Sequence, residues 1–233
     1  MLENLKREVL EANLDLRRKG LILFTWGNAS GFDRQKGLVV IKPSGVAYEE
    51  LSEDKLVVVD LEGNPVEGDF SQSSDTPTHL EIYKAFPQIC GVAHSHSTYA
   101  VIWSQARRPI PAFGTTHADY FHGEVPLTRP LTPEEINQGY EVNTGRVIVE
   151  RFRELDPLAT PGVLVYSHGP FSWGGSAAEA VENMAVLEEV ARMAWGTLQI
   201  APETPPMQQE LLDKHYFRKH GGKSYYGQKQ KSD

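Results

Sequence analysis

Apolar runs of four or five residues recur along this chain, each bounded by turn signals, and amphipathic helical stretches interrupt them. Leu21 to Phe24, Leu38 to Ile41, Leu56 to Val59, Ile89 to Ala93 and Val163 to Tyr166 read as strands. Between them, Lys42-Pro43-Ser44-Gly45 and Glu62-Gly63-Asn64-Pro65 read as turns. Leu2, Leu5, Val9, Ala12 and Leu16 fall at spacings of three and four, which predicts an amphipathic first helix stopped by Gly20. Thr76 before Pro77 reads as an N-cap followed by a proline at the first helical position, with the helix running to Pro87. Thr132-Pro133-Glu134-Glu135 and Ser176-Ala177-Ala178-Glu179 match the capping box. The second opens a long helix with Val181, Met184, Leu187, Val190 and Ala194 inward. The pattern predicts a mixed α/β fold.

Neither repeat, low-complexity stretch nor linker divides the sequence, so one domain is the simplest organisation. A chain of 233 residues buries roughly 70% of its unfolded surface and needs no disulfide or structural metal to fold. A metal site here would therefore serve function. Cys90 is the sole cysteine, and MLENLKREVL carries charges where a signal peptide is apolar, so a cytoplasmic protein is expected. No apolar run nears the roughly 18 residues of a membrane span. The net charge of -8 argues against a general attraction to nucleic acid. The C-terminal stretch is the exception, with Lys214, Arg218, Lys219, Lys223, Lys229 and Lys231.

His94-Ser95-His96 directly follows the run Ile89 to Ala93, and residues two apart on a strand share a face, so both imidazoles can converge on one ion. Val163-Leu164-Val165-Tyr166-Ser167-His168 is a second apolar strand leading to a histidine. Three histidines from two strands match a catalytic zinc site, which uses three protein ligands and keeps a position open. Asp75 is either a fourth ligand or a helix cap before Thr76-Pro77. Gly27-Asn28, Ser44-Gly45 and Ser73-Ser74 are turns that can offer N–H groups and hydroxyls to a phosphate, with Lys42 adding charge, or are ordinary loops. Asp119 is a candidate general acid or base if partly buried. Tyr225-Tyr226-Gly227 reads on its own as a solvated tail.

Taken together, several segments resemble the L-ribulose-5-phosphate 4-epimerases of the class II aldolase/epimerase superfamily. They are Thr25-Trp26-Gly27-Asn28, Lys42 to Gly45, Ser73-Ser74-Asp75-Thr76-Pro77-Thr78-His79, His94-Ser95-His96, Gly114 to Phe121, Ser167-His168-Gly169-Pro170, and Asp213 through Gln228. The resemblance spans residues 1–228 as a single domain and leaves 229–233 as an expected disordered tail. It implies a three-layer α/β/α fold around a central, largely antiparallel sheet, assembled as a homotetramer with sites at subunit interfaces. By the same resemblance His94, His96 and His168 bind one zinc, or another divalent metal, per subunit, with Asp75 as the further ligand. Gly27, Asn28, Ser44, Gly45, Ser73 and Ser74 hold the substrate, mainly its phosphate, with Lys42 close by. Asp119 and Tyr226 form an acid/base pair contributed by a neighbouring subunit.

The implied reaction inverts carbon 4 of L-ribulose 5-phosphate to give D-xylulose 5-phosphate, as in L-arabinose or ascorbate degradation. That carbon is not adjacent to the carbonyl, so simple deprotonation cannot serve. Cleaving the bond between carbons 3 and 4 leaves an enediolate for a metal to stabilise and glycolaldehyde phosphate to rotate and recombine. Two proton carriers are then needed on the two sides of the aldehyde. Around Glu141 the stretch Tyr140 to Gly145 varies from the family pattern, which leaves Glu141 without an assigned role. The nearest alternative is a sugar-phosphate aldolase resembling L-fuculose-phosphate aldolase, whose members carry glutamate where Asp75 stands. A non-enzymatic scaffold such as the adducin head lacks the histidines present here.

Overall fold

The computed structural model describes residues 2–220. Its elements run α1 (Glu3–Arg18), β1 (Gly27–Asp33), β2 (Leu38–Ile41), β3 (Val57–Asp60), β4 (Pro65–Glu67), α2 (Thr76–Ala85) and β5 (Gly91–Ser95). They continue as α3 (Thr98–Ala106), α4 (Thr115–Ala118), α5 (Pro133–Asn137), α6 (Tyr140–Arg151), β6 (Gly162–Leu164), β7 (Pro170–Gly174), α7 (Ala177–Ile200) and α8 (Gln209–Lys219).

The strands form one seven-stranded sheet in the order β4-β3-β2-β1-β5-β7-β6, with every pairing antiparallel. Alternation sorts its side chains between two cores. Val40 and Val58, directly paired, face α1 and α7 together with Ala29 and Ala93. Val39, Ile41, Val57 and Val59 face the other way, toward Leu80, Ile82 and Tyr83 of α2 and Ile148 of α6. The sheet is thus covered by helices on both faces, and the expected three-layer α/β/α arrangement is what the chain adopts.

Several local expectations shift. Leu21 to Phe24 forms no strand: Leu21 and Ile22 are buried under α1, while Leu23 and Phe24 stand exposed and Phe24 turns the chain at φ +52°. The neighbouring strand is instead β1, whose sequence GNASGFD carries no apolar alternation. Its small residues suit the close passage of α1, since a Cβ on Gly31 would come 2.7 Å from the Leu5 side chain. β7 and the short β4 likewise lack an apolar-run signal. β5 begins two residues later than expected, so His94 lies within the strand and His96 just beyond it. β6 ends at Leu164, which places His168 in the β6–β7 turn and not at a strand end.

Caps follow the sequence more closely. The Thr132 box is complete, whereas at α7 the Ser176 hydroxyl accepts from Glu179 N but the Glu179 carboxylate turns to Gly175 N. α2 starts at Thr76, so Thr76 is its first helical residue and not its cap. The loop residue Asp75 precedes it but makes no side-chain capping bond.

Candidate metal centre and active site

The site grows from the place where β1 runs past the end of β2, which pairs only from Ser30 onward. The exposed edge there is satisfied by side chains. Buried Asn13 exchanges hydrogen bonds with the N–H and carbonyl of Ala29, and the Tyr48 hydroxyl donates to Gly27 O. Gly27 has φ +134°, and a Cβ there would lie 2.5 Å from His94 O, so only glycine lets β1 and β5 approach at this point. The next residues form a row across three strands: Asn28 opposite His94, and His94 opposite Phe171.

His94 is buried and stacks on Phe171 with centroids 4.1 Å apart and planes at 15°. Its Nδ1–H donates to Pro170 O at 2.9 Å, which leaves Nε2 with its lone pair. His96 follows the strand, just before α3, whose first turn is capped by Glu188 of α7: its two carboxylate oxygens accept from Tyr99 N and Ala100 N at 2.9 Å. His168 is presented by a turn in which Ser167 takes φ +57°, an uncommon conformation that reverses the chain into β7. The Tyr140 hydroxyl lies 3.2 Å from His168 Nδ1.

One nitrogen from each of His94, His96 and His168 falls within 4.8 Å of the others. Burial holds the His96 imidazole below its ordinary range, with His94 adding to the effect. Burial, reinforced by His94 and His96, lowers His168 to about 3. Three imidazoles converging this way, with the outer nitrogens of two already engaged, are the donor set of a divalent ion that prefers nitrogen.

Asp75 stands beside this cluster and not within it. Its Oδ2 accepts from Asn28 Nδ2 at 2.7 Å, and Asn28 Nδ2 also reaches Ser73 Oγ at 3.0 Å. Burial pushes the Asp75 carboxyl up, but the neighbouring His94 and His79 and the Asn28 hydrogen bond outweigh it and leave it below the usual range. The Lys42–Gly45 turn is stitched to the segment before Ser73 by Ser44 N to Ser71 O and by the Pro43–Gln72 bridge. Lys42 itself is buried, with Nζ donating to Pro43 O and Val46 O, and burial lowers it to about 8. Its charge therefore sits under the turn, shaping it from within.

Gly27, Asn28, Lys42, Ser44, Gly45, Ser73, Ser74, Asp75, His94, His96 and His168 line a single cleft of about 400 Å³. Trp26, Tyr140 and Glu141 line it too; of these Tyr140 carries no sequence signal beyond its place at the start of α6. Asp119 is elsewhere. Its carboxylate accepts from Arg218 at 2.8 Å and His215 at 3.0 Å, with Lys219 at 3.6 Å. Burial raises it, yet Arg218 and His215 more than offset this and keep it ionised. Tyr226 and the 229–233 tail lie outside the described residues.

A family model described as Class II Aldolase and Adducin N-terminal domain matches residues 7–195. The L-ribulose-5-phosphate 4-epimerase UlaF of Salmonella paratyphi B is 56% identical over 228 residues, covering 98% of this chain and 100% of that protein. The protein of the same name from Salmonella typhi is likewise 56% identical over 228 residues. Among solved structures, an L-fuculose 1-phosphate aldolase has a TM-score of 0.76 at 27% identity and covers 92% of this chain and 95% of its own. The L-fuculose-1-phosphate aldolase from Thermus thermophilus, with a TM-score of 0.68 at 24% identity over 88% of this chain and 100% of its own, shares the fold.

Proposed function

The chain belongs to the class II aldolase and adducin N-terminal domain family, and we propose that within it this protein is an L-ribulose-5-phosphate 4-epimerase. The observation that carries the reading is full-length identity of 56% to proteins of that name, in a chain whose histidine triad adjoins an aspartate at position 75. His94, His96 and His168 would hold the ion, zinc by the preference of imidazole donors, with Asp75 balancing its charge. Bound there, the ion supplies a Lewis acid for negative charge developing on the sugar oxygens.

The protein's own groups do the remainder. The hydroxyls of Ser44, Ser73 and Ser74 and the backbone of Gly27 and Gly45 receive the phosphate, over a turn that buries the Lys42 charge beneath them. Anchoring the phosphate keeps the two-carbon fragment in the cleft while the bond between carbons 3 and 4 is open, so its aldehyde turns and does not depart. Proton transfer on the two faces of that aldehyde falls to Asp119 and Tyr226. Asp119 does not line the cleft of its own chain, which fits delivery by a neighbouring copy in a homotetramer of single-domain chains. Ionised and paired with Arg218 and His215, it is ready to accept a proton.

The test is incubation of the purified protein with L-ribulose 5-phosphate, with and without a chelator. Formation of D-xylulose 5-phosphate that stops on chelation supports the reading. Net accumulation of dihydroxyacetone and glycolaldehyde phosphate would assign an aldolase instead, the activity named for the 27%-identical structural neighbour.

A further inference from the structure

Behind the cleft, α2 and β1 are joined by successive polar rungs. Asp75 and His79 are one turn apart at the start of α2, and Tyr83 is one turn further. Asn28 and Ser30 lie two apart on β1 and so share a face. Asn28 bonds Asp75, while Ser30 Oγ lies 2.7 Å from both His79 Nδ1 and the Tyr83 hydroxyl. His79 is wholly buried, and its other nitrogen, Nε2, has no partner; neither has the buried Oδ1 of Asn28 on the adjoining rung. Two orphaned buried polar atoms on neighbouring rungs need an explanation, because a buried polar group left unpaired is destabilising.

We propose that His79 is a positioning residue for this site, its imidazole presenting an Nε2–H to the Asn28–Asp75 pair and holding that pair in register with the three histidines. Ser30 Oγ can accept from one of these neighbours and donate to the other; in the proposed arrangement the Tyr83 hydroxyl donates to Ser30 and Ser30 donates to His79 Nδ1, which puts the ring proton on Nε2. With the proton on Nε2, the donor orphan of His79 and the acceptor orphan of Asn28 complement each other through one buried water. His79 also meets Phe171 edge-to-face with centroids 6.0 Å apart, and Phe171 in turn stacks on His94. His79 thus links the carboxylate beside the metal ligands to the packing beneath them, without touching substrate.

The proposal rests on the epimerase reading for its kinetic arm and is independent of it for its spectroscopic arm. Long-range ¹H–¹⁵N correlation on labelled protein, metal-free and zinc-loaded, should show His79 protonated at Nε2 and bare at Nδ1. The reverse tautomer overturns the proposal whatever the enzyme does. For kinetics, His79→Gln places an amide NH₂ near the old Nε2, whereas His79→Asn places one near Nδ1. His79→Gln should keep kcat within about fivefold of the parent, while His79→Asn loses about 10–100-fold, the range for residues behind a metal's ligands, with KM little moved and zinc retained. Equal activity of the two variants, or a loss in His79→Asn that tracks loss of zinc, would mean that His79 only fills space. If the parent protein fails to interconvert the two pentulose phosphates, the functional reading fails while the tautomer still decides the role of His79.

Discussion

The Nε2 atoms of His96 and His168 lie 3.2 Å apart, although 72 positions separate the residues in sequence. Two ring nitrogens so close cannot both carry a positive charge. Burial together with neighbouring imidazoles pulls both histidines below their ordinary range, so the pair meets as neutral rings around at most one shared proton. A cation satisfies both lone pairs at once, and the third nitrogen, from His94, closes the set.

His96→Ala and His94→Ala should therefore abolish metal binding and epimerisation together. The core packs on both sheet faces without the ion, so folding should survive, with far-ultraviolet circular dichroism near that of the parent. Elemental analysis of the purified variants reads the outcome. Full zinc occupancy in the double variant would remove these histidines from the metal site.

Buried neutral histidines also set a pH dependence of stability. Burial lowers His79 to about 3, and burial, partly countered by the hydrogen bond to Gly123 O, lowers His117 to about 4. Unfolded, both titrate near 6.5. Below that value the unfolded chain takes up protons the folded chain refuses, so this contribution is complete above pH 6.5 and is lost as pH falls toward 4. Each group costs at most about 1.4 kcal/mol per pH unit in that window. Urea midpoints of the metal-free protein should fall steadily from pH 7 to pH 5, and a flat profile would refute the assignment.

How much of this was legible in the sequence depends on the kind of signal. The first helix, the long α7 and the strands β2 and β3 announce themselves by apolar periodicity, because each buries one stripe or one face. β1 does not, since its place under α1 and beside β5 demands glycine, alanine and serine, the same residues that mark turns. The histidines were readable as a pair plus one, but the turn that delivers His168 depends on Ser167 at positive φ, a conformation no serine advertises. The roles of Tyr140 and of Glu188 depend on contacts across 28 and 88 or more positions, which local pattern cannot supply.

Gly27 shows what that hidden strand requires. A Gly27→Ala chain would need its Cβ 2.5 Å from both His94 O and the Ile22 side chain, at a φ that L residues avoid. β1 must then move away from β5, loosening Asn28 and His94 together. Expected are a loss of about 2–4 kcal/mol, in the range for strain at a special backbone position added to overpacking, and weaker zinc binding. Denaturant titration and a competitive chelator assay measure the two effects.

Asp75 offers a sharper chemical test. Because its Oδ2 is held by Asn28, an Asp75→Asn variant should keep the fold but lose charge balance at the ion, lowering kcat by about 10–100-fold with weaker metal retention. Asp75→Glu should also lose epimerisation, and any gain of net carbon–carbon cleavage would be read as released glycolaldehyde phosphate. Near-normal zinc content and rate in Asp75→Ala would leave Asp75 as no more than the residue before α2.

The shared-site reading makes the most demanding prediction. Within its own chain Asp119 is tied to α8 through His215 and Arg218, and it does not line the cleft that holds the triad. If its partner in proton transfer is Tyr226, which follows α8 in sequence, both must reach another copy's metal. A His96→Ala chain then lacks a metal ligand but still lends Asp119 and Tyr226 to a neighbour, while a Tyr226→Phe chain keeps its metal and lacks the hydroxyl. Each homomer should be nearly inactive. Co-refolded mixtures should recover part of the parental activity, because some sites combine an intact triad from one chain with an intact tyrosine from the next. Native mass spectrometry must show that mixed assemblies have formed. If they have and activity does not return, each chain completes its own site, and Asp119 and Tyr226 cannot be the groups that a neighbour supplies.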